Sequence, residues 1–483
     1  MDIYNSKYDI VIGLEVHAEL CTKTKGFCDC KNEFGGEVNT NCCPGCIGLP
    51  GTLPTLNEEV VNFALKAGHA LNCEVNLYSK YDRKNYFYPD LAKGYQTTQF
   101  DVPICHNGYV DLLEESGETK RIRVARVHIE EDTAKLIHEE SFDGTLIDFN
   151  RSGVPLIEIV SEPDLRSGRD AKLYLETLRL ILVAIGVSDG KMQEGSIRCD
   201  VNVSVMPKGC EVFGTRVEMK NVNTFTGAVR AIEYEAERQI ALLESGGKIF
   251  QETRRWDDAE GKNFLMRSKE DANDYRYFPE PDLLTLSLSK AHVDALKESL
   301  PELPNARILR LMKDYGLKFF DAQLLMENLE KCAFFEECAA LDKCKPQNLS
   351  NWILGDISRL LNAENLTLSD TKLTSKSLCE MVGMIESGAI SSAAGKTIIE
   401  IILYEEKSPG DIVKEKGLSQ ISDLSALESI AKAVVEANAG PVEQYNSGKT
   451  NVLGFLVGQC MKQSKGQGNP AVLKEILLKL IKK

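Results

Sequence analysis

The feature that most constrains this chain is an alternation that begins at its eighth residue. In Tyr8–Leu20, the side chains of Ile10, Ile12, Leu14 and Val16 fall on one side, and Gly13, Glu15, His17 and Glu19 fall on the other. Residues two apart in a strand share a face. This reads as a strand with an apolar back and a chemically loaded front, where Glu15 and His17 sit side by side with open space at Gly13. The design recurs. In Ser196–Val205, Ile197, Cys199, Val201, Val203 and Val205 alternate with Ser196, Arg198, Asp200, Asn202 and Ser204. In Thr215–Asn221, Val217 and Met219 alternate with Arg216, Glu218 and Lys220. In Arg121–Lys135, His128 and Glu130 share a face; Glu131 reaches the same site only if a bulge or turn interrupts the strand.

An antiparallel sheet with one solvated face produces such alternation without any function. Solvated faces, however, favour Lys, Thr, Glu and Ser, whereas these carry Glu, His, Asp, Asn and Arg, with few of the usual fillers. Side by side they would form a floor of carboxylates, imidazole and guanidinium groups. Carboxylates suit Mg²⁺, which takes oxygen ligands and bridges phosphates. Cations offset phosphate charge during transfer. The ATP- and phosphate-binding candidates are therefore Arg198, Asp200, Asn202, Arg216, Glu218 and Lys220. The common nucleotide loops are missing. Ser447-Gly448-Lys449-Thr450 ends like a P-loop, but Glu443 stands where its first glycine belongs. No G-x-G-x-x-G follows a strand, and no G-x-S-x-G elbow occurs.

Fifteen scattered cysteines, an odd number, argue against a disulfide framework. Four stand out. Cys28 and Cys30 are followed, after twelve residues, by Cys43 and Cys46. Two close pairs on turns can place four thiolates around a structural Zn²⁺; reduced thiols in a tight loop are the alternative. A redox pair lacks its usual βαβ setting. Net charge is −15, which excludes a surface given over wholly to nucleic acid. The C-terminal end departs from that balance: from Lys449 onward seven lysines face one acid, Glu475. No run approaches the roughly 20 apolar residues of a membrane span, and no basic, apolar leader opens the chain. A cytoplasmic protein without membrane association is expected.

Short strands and turns dominate to about residue 290. After Pro301-Glu302-Leu303-Pro304, helical periodicity takes over in Asn305–Lys313, Phe319–Ala339 and Ser375–Ile390, and Ser408-Pro409-Gly410 opens a further helical part. The expectation is an α+β catalytic cradle over 1–293, a helical domain over 294–407 and a helical tail over 408–483. Trp256, Trp352 and His69 read as structural. Lys84 and Lys93 interleave with Tyr81, Tyr86, Tyr88 and Tyr95, a pattern that either stacks on nucleotides or, the reading favoured from these residues alone, forms a loop packed on the core. Arg276 reads equally as a phosphate contact or as the partner of Asp274 or Glu280.

Several stretches together resemble the aspartyl/glutamyl-tRNA amidotransferase B-subunit family and its archaeal E-subunit relatives. They are Ile12–His17, Cys43–Gly51, Tyr81–Asp90 with Lys93–Gln96, Arg126–Asp132, Asp148–Glu158, Glu194–Asn202, Asp274–Asp282, Gly454–Gln459 and Gly466–Pro470. The resemblance runs nearly end to end and, lacking an inserted domain, sits nearer the B-type chains. It implies an antiparallel-sheet cradle similar to the glutamine synthetase catalytic fold, followed by two helical domains. It implies an enzyme that uses ATP to phosphorylate the side-chain carboxylate of Glu on tRNA(Gln) or Asp on tRNA(Asn). Ammonia from a separate amidase, the A-type chain, then converts the acyl phosphate to the amide, and a small C-type chain completes the heterotrimer. The catalytic set it implies is Glu15, His17, Glu130, Glu131 and Glu158, with Mg²⁺ on Glu15, His17 and Glu130 and zinc on Cys28, Cys30, Cys43 and Cys46. Lys84 and Tyr86 are implied in the ammonia route. Lys462, Lys465, Gly466, Gly468 and Asn469 are implied in tRNA binding. A free-standing carboxylate–amine ligase would not need the basic tail, and an RNA-binding scaffold would be repelled by the acidic strand faces.

Overall fold

The computed structural model describes residues 3–4, 6–138, 142–268, 274–420, 424–464 and 467–481. They fall into two compact units, Met1–Ala306 and Arg307–Lys483.

The strands are β1 (Tyr8–Glu19), β2 (Glu74–Val75), β3 (Tyr78–Ser79), β4 (Asp82–Asn85), β5 (Tyr95–Thr98), β6 (Cys105–Leu113), β7 (Thr119–Glu131), β8 (Lys135–Ile137), β9 (Leu146–Asp148), β10 (Pro155–Ser161), β11 (Ile197–Pro207), β12 (Val217–Val222), β13 (Glu252–Asp257), β14 (Lys262–Ser268), β15 (Phe278–Pro279) and β16 (Leu286–Ser287). Nine of them form one sheet in the order β14-β13-β12-β11-β1-β10-β7-β6-β2. The alternating segment β1 lies at its centre. Its back residues Ile10, Ile12, Leu14 and Val16 are buried, in one core with residues of three helices, α1 (Glu58–Ala70), α2 (Gly168–Ala184) and α3 (Phe225–Glu244). Each helix starts on a capping side chain: Asn57, Ser167 and Thr224 accept from Glu59, Asp170 and Gly227 backbone N–H groups. Burial on one face only leaves the front free for polar groups.

The sheet is mixed, not purely antiparallel. β12 and β13 run parallel, because α3 intervenes between them and returns the chain to the same edge. A small sheet, β15-β4-β5, brings two of the sequence motifs together, since Phe278 pairs with Arg83.

The named elements of the second unit, among its described residues, are all helices, from Pro304–Tyr315 to Pro470–Ile481. Pro304 opens the first of these helices, where its missing N–H costs nothing. The periodic stretch 319–339 is two helices, Phe319–Met326 and Leu329–Ala340, because Asn328 caps the second. The helix Pro409–Lys416 packs against Ser375–Glu386 and Ser392–Ile402. A separate apolar cluster, from Leu427 to Ile481, fills the C-terminal helices.

Candidate active site

Register turns the front of the sheet into rows. In one row Arg198 pairs with His17, His17 with Glu158, and Glu158 with His128. In the next, Asp200 pairs with Glu15, Glu15 with Val160, and Val160 with Arg126. Beyond it Asn202 lies between Glu218 and Gly13. A Cβ on Gly13 would make ordinary contact with the Pro163 and Ser161 backbone at 3.9 Å, and Gly13 lines a neighbouring cavity with Glu15 and Asn202.

His17 Nε2 stands 3.3 Å from Glu158 and 3.9 Å from Glu130, while His128 Nε2 stands 3.5 Å from Glu158. Burial alone would raise the Glu158 carboxyl, but the His128 and His17 imidazoles hold it well below the usual range. Burial works against a charged His17, yet the carboxylates of Glu158 and Glu130 prevail and raise it. Lys84 donates to Glu130 at 3.1 Å, and its ammonium is raised by Glu130 and Glu158 against the effect of burial. In the neighbouring row Asn202 Nδ2 donates to Glu15 at 2.9 Å; burial, with Glu158, still raises the Glu15 carboxyl. Lys220 bridges Asp200 and Glu218, and Thr253 donates to Glu218 at 2.7 Å.

Apart from Glu130, these groups line a cavity of about 340 Å³. Glu15, His17, Glu158, Asp200, Asn202, Arg216, Glu218, Lys220 and Lys84 all face it. Three ligand atoms within 4.8 Å of one another occur twice there, as His17, Glu130, Glu158 and as Glu15, Asp200, Glu218. The expected set Glu15, His17, Glu130 is thus divided between two clusters. Residues two apart on β1 are about 7 Å apart, so each joins one carboxylate of its own row, Glu158 for His17 and Asp200 for Glu15, and one from an adjacent row, Glu130 or Glu218.

Other candidates lie elsewhere. β7 runs unbroken through Glu130 and Glu131, paired with Leu156 and Pro155, so the two carboxylates point to opposite faces. Glu131 is bound by Lys93 and by the Thr97 N–H. Arg198 is engaged by Asp132 and does not line the cavity. Tyr86 donates its hydroxyl to Gln96 at 2.6 Å. Glu280 is taken by Arg83 at 2.7 Å rather than by Arg276, which is exposed. Sequence reasoning left unassigned the cavity residues Arg126, His128, Thr253, Arg267, Tyr275 and Tyr277. The alternation carried the signal for His128 and Arg126, and the Asp274–Asp282 motif carried it for the tyrosines. Thr253 and Arg267 sit on β13 and β14, the last two strands at one end of the sheet, which show no readable pattern. Arg126 has no ion-pair or hydrogen-bond partner among the described residues, and its Nε is buried.

The four cysteines converge on the opposite side of β7, beside a second cavity of about 560 Å³ that Glu131 and Lys93 also line. Cys46 Sγ is 3.6 Å from Cys28, 3.7 Å from Cys43 and 3.9 Å from Cys30. The Cys46 thiol is pushed down to about 4, chiefly by the Cys28 thiol and also by Lys25. The four sulfurs lie within 4.8 Å of one another, an arrangement that can hold a metal ion.

In the tail, Lys462 is exposed. Asn469 Oδ1 accepts from the Ala471 and Val472 N–H groups, capping the last helix, and the Gly468 N–H donates to Ser464. Lys465 and Gly466 lie outside the described residues. No helix among the described residues is long and apolar enough to cross a membrane.

The GatB/GatE catalytic domain family matches residues 10–294, and a GatB domain family matches residues 333–481. Relatives whose names make them the B-type chain of an aspartyl/glutamyl-tRNA(Asn/Gln) amidotransferase occur in several bacteria. That of Caldicellulosiruptor saccharolyticus is 50% identical over 483 residues, covering 99% of this chain and 100% of its own length. That of Clostridium botulinum (strain Alaska E43) is 49% identical over 477 residues, covering 99% and 100%. That of Thermoanaerobacter pseudethanolicus is 50% identical over 471 residues, covering 98% of each chain.

Proposed function

The chain belongs to the B-subunit family of the aspartyl/glutamyl-tRNA(Asn/Gln) amidotransferases, and from that premise we propose that its sheet front activates the side-chain carboxylate of a misacylated tRNA with ATP and completes the amidation. The substrates are Glu-tRNA(Gln), Asp-tRNA(Asn) or both. The partners are an amidase that releases ammonia from glutamine and a small third chain, and the setting is the cytoplasm. The cradle is of the glutamine synthetase type.

The observation that carries this reading is the cavity itself. It sets carboxylates beside cations on one rigid sheet and offers no serine or cysteine nucleophile among its lining residues. A carboxylate does not react with ammonia, so activation is required. The substrate carboxylate oxygen attacks the γ-phosphorus of ATP and ADP leaves. Ammonia attacks the resulting acyl carbon, phosphate departs, and the amide forms. Lys84, Lys220, Arg126, Arg216 and Arg267 are the groups available to offset phosphate charge. Glu15, Asp200 and Glu218, with His17, Glu130 and Glu158 beside them, are the groups available to hold Mg²⁺, which when bound would neutralise phosphate charge. The all-carboxylate donors of Glu15, Asp200 and Glu218 suit that ion, and Glu130 and Glu158 add further oxygen donors beside His17. The acyl phosphate must be kept from water. Lys84, at one wall of the cavity and bonded to the buried Glu130 behind it, is suited to admit ammonia while excluding bulk solvent.

The cysteine cluster suits structural zinc. Four thiolates at about 2.3 Å from a tetrahedral zinc stand about 3.8 Å apart, close to the 3.6–3.9 Å found around Cys46. The lysine-rich tail is suited to the tRNA backbone, through Lys462, Lys465, Gly466, Gly468 and Asn469.

The test mixes the chain with its amidase and small partner chains, Glu-tRNA(Gln), Mg-ATP and glutamine, and follows Gln-tRNA. Wild type makes the amide. His17→Ala loses at least about 100-fold in amidation, as removal of a group that stabilises the transition state does, while glutaminase activity persists. Full amidation by the variant would remove the site from this face.

A further inference from the structure

Lys25 follows β1 in the loop that leads to the cysteines, and it is 0 % exposed. Its ammonium makes three contacts: the Ser152 carbonyl at 2.7 Å, the Phe149 carbonyl at 3.3 Å and Cys46 Sγ at 3.5 Å. A lysine ammonium has three N–H donors and no acceptor. All three donors are therefore used, two on carbonyl oxygens and one on the Cys46 sulfur. No carboxylate lies within ion-pair distance of Lys25 among the described residues. Two carbonyl dipoles do not balance a full charge, and an unpaired buried charge is strongly unfavourable. The counter-charge has to come from sulfur.

That requirement discriminates between states of the cluster. Four neutral thiols, or a disulfide with two thiols, would leave Lys25 without an anion. A zinc ion held by four thiolates carries a net charge of two minus, which one ammonium halves. The loop is also built around this contact. The Lys25 N–H donates to the Cys30 carbonyl at 3.0 Å, and Ser152 Oγ donates to the Cys46 carbonyl at 2.9 Å. Lys25 thus touches both cysteine pairs, one through its backbone and one through its side chain.

We propose that Lys25 is the buried counter-ion of a tetrathiolate zinc centre formed by Cys28, Cys30, Cys43 and Cys46, a positioning residue that fixes Cys46 as a ligand by an N–H···S bond. The proposal rests on the zinc reading given above. Outer-sphere partners of metal ligands commonly set affinity by 10- to 100-fold, and a charge buried against the ligand belongs in that class.

The full-length chain is stripped of metal under reducing conditions, reloaded with zinc, and titrated against a chromophoric chelator. Lys25→Met keeps the length and removes the charge. Wild type is expected to bind one zinc, and the variant to bind it about 10- to 100-fold more weakly. Equal affinity in a folded Lys25→Met chain overturns the role of Lys25 while leaving zinc in place. A folded wild type that takes up no zinc overturns the zinc reading, and this proposal with it. Should the variant not fold, the wild type answers alone. With ¹¹³Cd in place of zinc and ¹⁵N-labelled lysine, one side-chain ammonium resonance should show coupling to cadmium across the hydrogen bond. Absence of any such coupling in the cadmium-loaded chain overturns the proposal.

Discussion

Glu158 is the residue on which the front of the sheet turns, because it lies between two imidazoles. Its carboxylate draws His17 up and is itself held down by His128 and His17. A histidine whose pKa is raised by folding contributes stability that is fully present below its unfolded value of about 6.5 and is lost as pH rises through the folded value. In the metal-free protein, His17 should therefore titrate above the ordinary histidine midpoint. In Glu158→Gln it should fall by at least about one unit, the order of shift a close opposite charge produces, leaving burial as the larger influence. Histidine-selective NMR across a pH series measures both midpoints; an unmoved His17 in the variant would show that the row is not electrostatically coupled. The two halves of this site differed in how far they could be read from sequence. Glu15 and His17 were legible because alternation on one strand fixes which residues share a face. Their separation into different clusters was not, because it depends on which carboxylate the neighbouring strand presents in register. Glu158, more than a hundred residues away, meets His17 only through that pairing.

At the level of elements, the same limit explains the parallel pair at the sheet edge. The strand β12 is readable as a short alternating segment, but the direction in which β13 joins it follows from α3, whose docking is a tertiary event. That docking has an identifiable anchor. Glu235 on α3 is fully buried, and its two oxygens accept from Arg238 at 2.7 Å, Gln239 at 2.7 Å and Asn263 of β14 at 2.6 Å. Gln239 also donates to the Val203 carbonyl of β11 at 3.1 Å. A buried carboxylate so completely satisfied ties the helix to two strands. Glu235→Ala would leave the Asn263 amide and the Arg238 guanidinium without their acceptor. The expected loss is about 3 kcal/mol, read as a lower midpoint for the unfolding transition of the sheet-bearing unit in a urea series. A variant within about 0.5 kcal/mol of wild type, the range of neutral surface changes, would show that apolar packing alone holds α3. Glu130 and Glu131 give the converse case. Sequence made their sharing of a site conditional on a bulge, and the unbroken ladder of β7 sends them apart.

Across the whole chain, composition and local charge point in different directions, and the local term decides where RNA can bind. The net charge of −15 repels a polyanion on average, but charges separated by more than about 8–10 Å are screened at physiological salt. What an RNA backbone meets at the C-terminal helices is their own lysines. Lys449, Lys462, Lys474 and Lys479 are exposed, and no carboxylate within ion-pair distance neutralises them among the described residues. The apolar cluster Leu427–Ile481 that carries these helices is built from side chains on their other faces, so charge reversal there need not disturb packing. The variant with Lys449, Lys462, Lys474 and Lys479 all changed to Glu should stay folded. Each phosphate deprived of its lysine reduces the dependence of log affinity on log salt by about 0.7–0.9. With roughly two to four phosphates so deprived, the slope should flatten by about 1.5–3.5 and tRNA affinity at moderate salt should drop at least about tenfold. ATP binding by the sheet unit should be unchanged, because none of the four lysines lines its cavity. Filter binding of tRNA(Gln) over a salt series measures both quantities on wild type and variant. A variant with unaltered slope would place the tRNA-binding surface elsewhere on the chain and leave the lysine-rich tail as an ordinary solvated end.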